Sequence, residues 1–255
     1  ILKKIKSTSP NVIHSHYSLS AFATTLALLI YRLKFPHIVS LMGSDSKMLG
    51  WKKTLTKVFS KYNWDITIVK SESIARDLGI DEYHVLPNGV DLSTLKLKNI
   101  IPNNIILFPA NPSRESKNFK LAKEAFNIAK KQLSDLELEV CYGVTHDKMI
   151  TKLQYSGIVL ITSLWEGSPN IVKEAMALNK VIICTKVGDT EWLLKDIKGC
   201  YLVNFDAQQI ANKIILGIKL NQHTKMINGR KQIQALNLDS ISIAKKLIGY
   251  YIKVC

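Results

Sequence analysis

The sequence predicts an α/β protein of two domains, each a parallel sheet with helices packed against it, and three observations carry this expectation. Short β-branched apolar runs alternate with segments of helical period along the chain, the pattern of right-handed βαβ units. At 255 residues the chain exceeds what one hydrophobic core usually supports. Between two such alternating halves lies a stretch of low periodicity, 92–104 (LSTLKLKNIIPNN), directly after Pro87-Asn88-Gly89.

In order, strands are expected at 12–16, 37–41, 66–70 and 84–86 in the first half, and at 105–109, 136–141, 158–162, 181–185 and 201–204 in the second. Helical patterns fall between them at 19–33, 51–62, 72–78, 118–132, 147–154, 170–178, 190–195 and 207–221. The last segment, 239–254, brings Ile241, Ala244, Leu247, Ile248 and Tyr251 onto one apolar helix face, with Lys245, Lys246 and Lys253 mostly off it. Residues 1–91 therefore read as a first domain, 92–104 as a linker, 105–238 as a second domain and 239–255 as a terminal helix.

A hydrophobic content of 47% excludes disorder, because such a chain buries enough surface to offset its ordering entropy. The net charge is +15 and unevenly placed: residues 1–64 carry ten Lys/Arg against Asp45 alone, and residues 213–255 carry eight against Asp239. Two basic ends thus flank a nearly neutral middle. Such a field attracts phosphates, nucleic acid or anionic lipid headgroups. Nucleic acid lacks support, since there is neither a helix-turn-helix cue nor aromatic interleaving on a β platform.

Cys141, Cys184, Cys200 and Cys255 form no C-x-x-C pair, and the first three fall in or beside apolar runs, so reduced buried thiols in a cytosolic setting are expected. The longest apolar stretch, 19–31, has thirteen residues and falls short of a membrane span. No secretory leader is visible in ILKKIKSTSP. It also lacks a starting Met, which suggests that the chain begins partway through something longer.

The densest polar constellation is Ser163-Leu164-Trp165-Glu166-Gly167-Ser168-Pro169-Asn170-Ile171-Val172-Lys173-Glu174. A strand ends there, Gly167 permits a sharp turn, Ser168 caps and Pro169 suits the first helical position. Ligands of open α/β sheets bind at such junctions, and a helix start offers N–H groups to an anion. Glu166 and Glu174 then face one cleft and accept the paired hydroxyls of a sugar or ribose, or they are merely solvated glutamates beside a capped helix. A second cluster, 108–118, brings Arg114 and Lys117 to the end of another strand, where a planar fork and a point charge suit a diphosphate. Together the clusters point to a nucleotide-diphosphate site in the second half.

In the first half His14 and His16 share one side of a strand, so one is buried while the other reaches the cleft mouth. No third ligand of metal spacing accompanies them. Gly43-Ser44-Asp45 follows the next strand. No G-x-G-x-x-G, Walker A or H-E-x-x-H occurs. In helix 51–62, Trp51, Leu55, Val58, Phe59 and Tyr62 form an apolar arc opposite Lys52, Lys53, Lys57 and Lys61. Such a helix either packs its stripe on its own sheet or lies on an anionic membrane.

At these residues the sequence resembles the group 1 glycosyltransferases (glycosyltransferase family 4). Asn11-Val12-Ile13-His14-Ser15-His16 is similar to the family's strand ending in histidine, Ser40-Leu41-Met42-Gly43-Ser44-Asp45 to its H-G-S-D segment, and Pro87-Asn88-Gly89-Val90-Asp91 to its P-N-G-V-D hinge. Glu166-Gly167-Ser168-Pro169 running to Glu174-Ala175-Met176-Ala177 carries the family's two spaced glutamates, and Val187-Gly188-Asp189 continues the match. The wording most resembles the subgroup that builds bacterial surface polysaccharides such as teichuronic acid or capsule.

The resemblance implies a GT-B fold: two Rossmann-like domains, the first incomplete at its amino end, with the terminal helix crossing back onto it. It implies a retaining, metal-independent hexosyltransferase that uses a UDP- or GDP-type sugar without a cofactor. The acceptor implied is lipid-linked or a glycan, on the cytosolic face of the membrane. By that analogy Glu174 holds the ribose and Arg114 with Lys117 the diphosphate. Glu166 and the backbone of Gly167, Ser168, Pro169, Asn170 and Ile171 take the transferred sugar, and His16 lies near the reacting carbon. Gly43, Ser44, Asp45 and Asn88 line the acceptor side, and Lys52, Lys53, Lys57 and Lys61 meet an anionic membrane. In GT-B proteins the two basic ends would share one face. Asn111 stands near the family's usual arginine and Met42 where a histidine is common, and the alternative reading is a nucleotide-sugar-binding module without turnover, completed by another chain. The oligomeric state and the donor's base and sugar stay open.

Overall fold

The computed structural model describes residues 1–98, 100, 103–221 and 227–255. Asn99, Ile101 and Pro102, within the segment read as a linker, lie outside the described residues. The chain forms two compact units, residues 1–89 with 241–255, and residues 90–240.

The first unit runs α1 (Leu2–Thr8), β1 (Ile13–His16), α2 (Ser18–Ile30), β2 (His37–Leu41), α3 (Trp51–Tyr62), β3 (Ile66–Val69), α4 (Glu72–Leu78) and β4 (His84–Val85). Its four strands are parallel in the order β1-β2-β3-β4, with Ile13 opposite His37 and Ile38 opposite Ile66. Every residue of β2 and β3 is buried, because helices cover both sheet faces, and this is why these strands read as continuous apolar runs. Val39, Leu41 and Val69 pack with Phe22, Phe59, Trp64 and Leu78 on one face. On the other, Ile38, Ile66, Ile68 and Leu86 meet the carboxyl-terminal helix.

The second unit runs β5 (Ile105–Phe108), α5 (Phe119–Lys130), β6 (Glu137–Val140), α6 (His146–Tyr155), β7 (Ile158–Ile161), α7 (Asn170–Ala177), β8 (Val181–Thr185), α8 (Thr190–Leu193), β9 (Cys200–Val203), α9 (Ala207–Asn221) and α10 (Gly229–Ala235). The parallel strand order is β6-β5-β7-β8-β9, with Ile106 flanked by Leu138 and Ile158. The chain steps from β5 outward to β6 and then to the opposite side of β5. The order therefore reverses between β5 and β7, where open α/β sheets leave a crevice at the carboxyl ends of their strands. Phe108, Leu160 and Ile183 lie in one core with Ala122, Ala125 and Ala129 of α5 and Ile210, Ala211 and Ile214 of α9.

Helix α10 was not expected, since Ile233 is its one buried apolar side chain. It is fixed instead by Arg230, whose guanidinium donates to the carbonyls of Leu95 at 2.5 Å, Ala177 at 3.1 Å and Leu92 at 2.8 Å. A Cβ on Gly229 would sit 2.6 Å from the Met176 carbonyl, so only glycine lets α10 approach α7. Leu95 is buried, so residues 92–95 belong to the second unit's fabric rather than to a free linker.

The last helix, α11 (Ser240–Val254), covers the first sheet through Ile243, Leu247, Tyr250, Tyr251 and Val254. This face is rotated from the one expected: Ile241 and Ile248 are exposed. Of the basic residues in 213–255, Lys245, Lys246 and Lys253 join the first unit, whereas Lys213, Lys219, Arg230 and Lys231 belong to the second. Through α11, part of the basic end lies in the same unit as the basic start.

Candidate functional site

The loops that leave β5 and β7 at the reversal point are tied into one ledge. The Leu164 amide donates to the Ser116 carbonyl at 2.9 Å, and the Thr162 hydroxyl reaches the carbonyls of Lys117 and Asn118, both at 3.0 Å. From β8, the Thr185 hydroxyl donates to the Ser163 carbonyl at 2.7 Å. The following turn rests on the same loop: Gly188 has φ +58°, and a Cβ there would lie 2.2 Å from the Gly167 carbonyl oxygen.

On this ledge Lys117 and Glu166 form an ion pair, and the Ser163 hydroxyl donates to Glu166 Oε1 at 2.8 Å. Both charged side chains retain under a fifth of their exposure, so the pair is shielded yet reachable. Lys117 and Glu166 line a small hollow with Phe108, Ala110, Thr162 and Ile171. Helix α7 begins at Asn170, where its period puts it, but Pro169 precedes the helix rather than opening it, and no side chain caps its amino end. The Ser168 hydroxyl accepts from the fully buried Lys173 ammonium at 3.0 Å instead.

Glu174 lies further along α7, and its Oε1 is 3.1 Å from His146 Nε2. His146 opens α6 after β6, so three neighbouring strands contribute to the site. Burial pushes the Asp189 carboxyl up to about 6, with Ser168 and Lys173 opposing the rise. Neither oxygen has a hydrogen-bond partner of good geometry. Arg114 is exposed, and its guanidinium makes no hydrogen bond or ion pair among the described residues. Asn111 is occupied in a turn, accepting from the Ser113 amide at 2.9 Å and hydroxyl at 2.7 Å. Sequence reasoning singled out neither His146 nor Lys173, since a histidine at a helix start and a lysine between apolar residues carry no spacing signal.

In the first unit, His14 and His16 stack with ring centroids 4.2 Å apart. His14 is the inner ring: its nitrogens meet the Tyr251 hydroxyl at 2.7 Å and the Ser40 hydroxyl at 2.9 Å. Burial, with smaller contributions from His16 and Lys70, lowers its pKa to about 4. His16 is exposed at the strand end, and its pKa is lowered by partial burial and then by Lys70. Lys70, also unforeseen, is buried with its ammonium 3.3 Å from the Leu86 carbonyl.

Gly43 and Ser44 lie in a 3₁₀ turn, Gly43–Lys47. Asp45, expected at the acceptor side, is fully buried and accepts from the Ser18 hydroxyl at 2.7 Å, the Ser18 amide at 3.2 Å and the Met42 amide at 2.6 Å. It works as a clamp between the β2 turn and the start of α2. Asn88 is half-buried near the end of the first unit's main segment. Lys53, Lys57 and Lys61 are exposed and Lys52 half-buried. The aromatic arc of α3 does not go to the sheet as a whole: Phe59 is buried, while Trp51, Val58 and Tyr62 are exposed. Among the described residues no three His, Cys, Asp or Glu side chains gather as a metal site, and no helix is long and apolar enough to cross a membrane.

Two family models match the chain, one for Glycosyltransferase Family 4 over residues 1–94 and one for group 1 glycosyl transferases over residues 129–219. A Bacillus subtilis (strain 168) protein named for teichuronic acid biosynthesis, the glycosyltransferase TuaC, is 23% identical over 84% of this chain. The chain spans 63% of that relative's length. Among solved structures, Anabaena Alr3699/HepE in complex with UDP matches with a TM-score of 0.82 at 15% identity, over 99% of this chain and 81% of its own. The sucrose-phosphate synthase of Thermosynechococcus elongatus matches with a TM-score of 0.78 at 16% identity, over 99% and 75%. These likenesses give the GT-B fold, with a Glycosyltransferase Family 4 segment at residues 1–94 and a group 1 glycosyl transferase segment at residues 129–219.

Proposed function

We propose that this chain transfers a sugar from a nucleoside-diphosphate sugar, of UDP or GDP type, to a lipid-linked or polysaccharide acceptor of the cell surface. The observation that carries the reading is the shielded Lys117–Glu166 pair at the strand reversal, beside an uncapped helix start and within one loop-helix segment of Glu174. A diphosphate suits Lys117, Arg114 and the amino end of α7, where cation and backbone N–H groups meet negative charge. A carboxylate such as Glu174 suits the vicinal hydroxyls of a ribose. Glu166 would then pass from Lys117 to the sugar. In this reading leaving-group charge is stabilised by Lys117, Arg114 and helix-start amides without a metal, with retention of configuration. His16 is assigned a part in the acceptor half, and the work is done at the cytosolic membrane face. The relative named for teichuronic acid and the UDP-bound Anabaena protein support the substrate class.

One observation favours a second reading, a binding module without turnover: Asn111, occupied in its own turn, stands near the family's usual arginine. Thermal unfolding with UDP, GDP and sugar nucleotides tests the shared donor claim. A rise in Tm with at least one of them is expected, and none with any would sink it. Product from a radiolabelled donor then separates turnover from mere binding.

A further inference from the structure

Helices α2 and α3 lie side by side on one face of the first sheet. The Phe22 and Phe59 rings meet edge to face at 5.7 Å, and Trp64 Nε1 donates to the Thr25 hydroxyl at 2.9 Å. Their buried faces are spent there, on Ala21, Phe22 and Thr25 of α2 and Thr56 and Phe59 of α3. Each helix nevertheless carries a second apolar stripe. Leu19, Leu26 and Ile30 repeat at i, i+7, i+11 on α2, and Trp51, Val58 and Tyr62 repeat at the same spacing on α3. All six are between 41% and 70% exposed.

The stripes converge. Lys57, Ser60 and Lys61 occupy the flank of α3 that borders Gly79 to Glu82. At 100° per residue Trp51, Val58 and Tyr62 fall on the opposite flank, the one that borders α2. Single exposed apolar residues are ordinary, but a contiguous seam of this kind marks an interaction surface.

Charge selects the occupant. Neither α2 nor α3 contains an acid, and the one acid in residues 1–64, Asp45, is fully buried. Lys34, Lys47, Lys52 and Lys53 stand near the seam by sequence, whereas Lys57 and Lys61 lie on the far flank of α3 beside Asp81 and Glu82. Lys52 lies over the Trp51 ring at 5.7 Å and Lys61 over the Tyr62 ring at 5.3 Å. Amphipathic aromatics beside aliphatic side chains, on two helices of which one carries four lysines and neither carries an acid, match the boundary between anionic headgroups and acyl chains.

We infer that the α2–α3 seam docks the first unit on an anionic bilayer, with Leu26, Ile30, Trp51 and Tyr62 entering the interface and the lysines on the headgroups. This narrows the membrane location proposed above to one surface, and it is tested by lipid binding alone, whatever becomes of the donor reading.

Cosedimentation of the full chain with phosphatidylglycerol–phosphatidylcholine vesicles is expected to show binding that falls by on the order of tenfold or more with phosphatidylcholine alone, in high salt, or on Lys52→Glu with Lys53→Glu. The set Leu26→Ser, Ile30→Ser, Trp51→Ser and Tyr62→Ser is expected to weaken it similarly. The set Ile241→Ser, Ile248→Ser and Ile252→Ser removes equally exposed apolar groups from α11, on the other sheet face, and is expected to leave binding unchanged. Absent wild-type binding, undiminished binding by both seam variants, or equal loss with the α11 set would overturn the inference. So would a seam variant that turns a self-associated wild type into monomers while the wild type ignores vesicles, since the occupant would then be a second copy.

Discussion

Lys117 and Glu166 come from the loops of the two strands between which the sheet order reverses, and they meet there as an ion pair held by the Ser163 hydroxyl. The pair joins fold to chemistry. β5 delivers a cation, β7 delivers a carboxylate, and the reversal leaves room above them for an anionic ligand that would take over the lysine.

Lys117→Ala is therefore expected to weaken UDP or GDP binding by about 10- to 100-fold, the scale of hydrogen bonds to charged groups. Glu166→Gln keeps the shape and is expected to lower turnover while changing nucleoside-diphosphate affinity only a few-fold. Calorimetric titration and a radiolabelled-donor assay read the two effects separately.

Gly188→Ala is expected to damage the site out of proportion to its size. Its φ of +58° strains any other residue, and the added Cβ would meet the Gly167 carbonyl at 2.2 Å. A loss of about 2 kcal/mol or more in stability is expected, together with loss of nucleotide binding. Gly143→Ala shares the positive φ but opens onto empty space, so about 1 kcal/mol with binding retained is expected. Urea unfolding of both variants checks this.

Asp189 gives the second unit an acid-favoured component. Its carboxyl titrates near 6 when folded and at 3.8 in its ordinary state. Between these values the folded form holds the extra proton, so stability from this group is present below about pH 4 and lost as pH rises through 6. Asp189→Asn is expected to stabilise the protein at pH 7.5 by roughly 1–2 kcal/mol and by little at pH 4. Equal effects at both pH values would contradict a carboxyl raised by burial.

The first unit responds in the opposite sense. His14 and His37 are both lowered from 6.5 to about 4, chiefly by burial. The unfolded chain takes up protons that these rings refuse, so their stability is present above pH 6.5 and lost as pH falls through 4. Protection of the β2 amides, corrected for the intrinsic pH dependence of exchange, is expected to fall between pH 6.5 and 4 around His37, whose Nε2 lies 2.9 Å from the Ser15 hydroxyl. His37→Gln is expected to flatten that slope.

Strand positions were legible because both faces of each central strand are covered, which writes them as apolar runs such as Ile66–Val69 and Val181–Thr185. The strand-loop-helix junction at Glu166 was legible too, from Gly167 and Pro169. What was hidden depends on partners distant in sequence. Helix α10 is held by Arg230 on three carbonyls rather than by an apolar stripe. Asp45 reads as a loop acid, and only the position of Ser18 makes it a buried clamp. The face of α11 differs from the one its period suggests, and the arc of α3 is split between sheet and surface, because each helix has more apolar residues than its sheet contact uses and period alone does not say which stripe is covered. Nothing local announces that His146 meets Glu174, as 28 residues separate them.

The most direct measurement is calorimetric titration of UDP and GDP into the full chain and into its Glu174→Gln variant. Saturable binding of at least one diphosphate, weakened about tenfold or more by the loss of the carboxylate that would grip the ribose, is the expected result. No binding of either nucleotide, or equal affinity in both proteins, would contradict a donor site built on Lys117, Glu166 and Glu174.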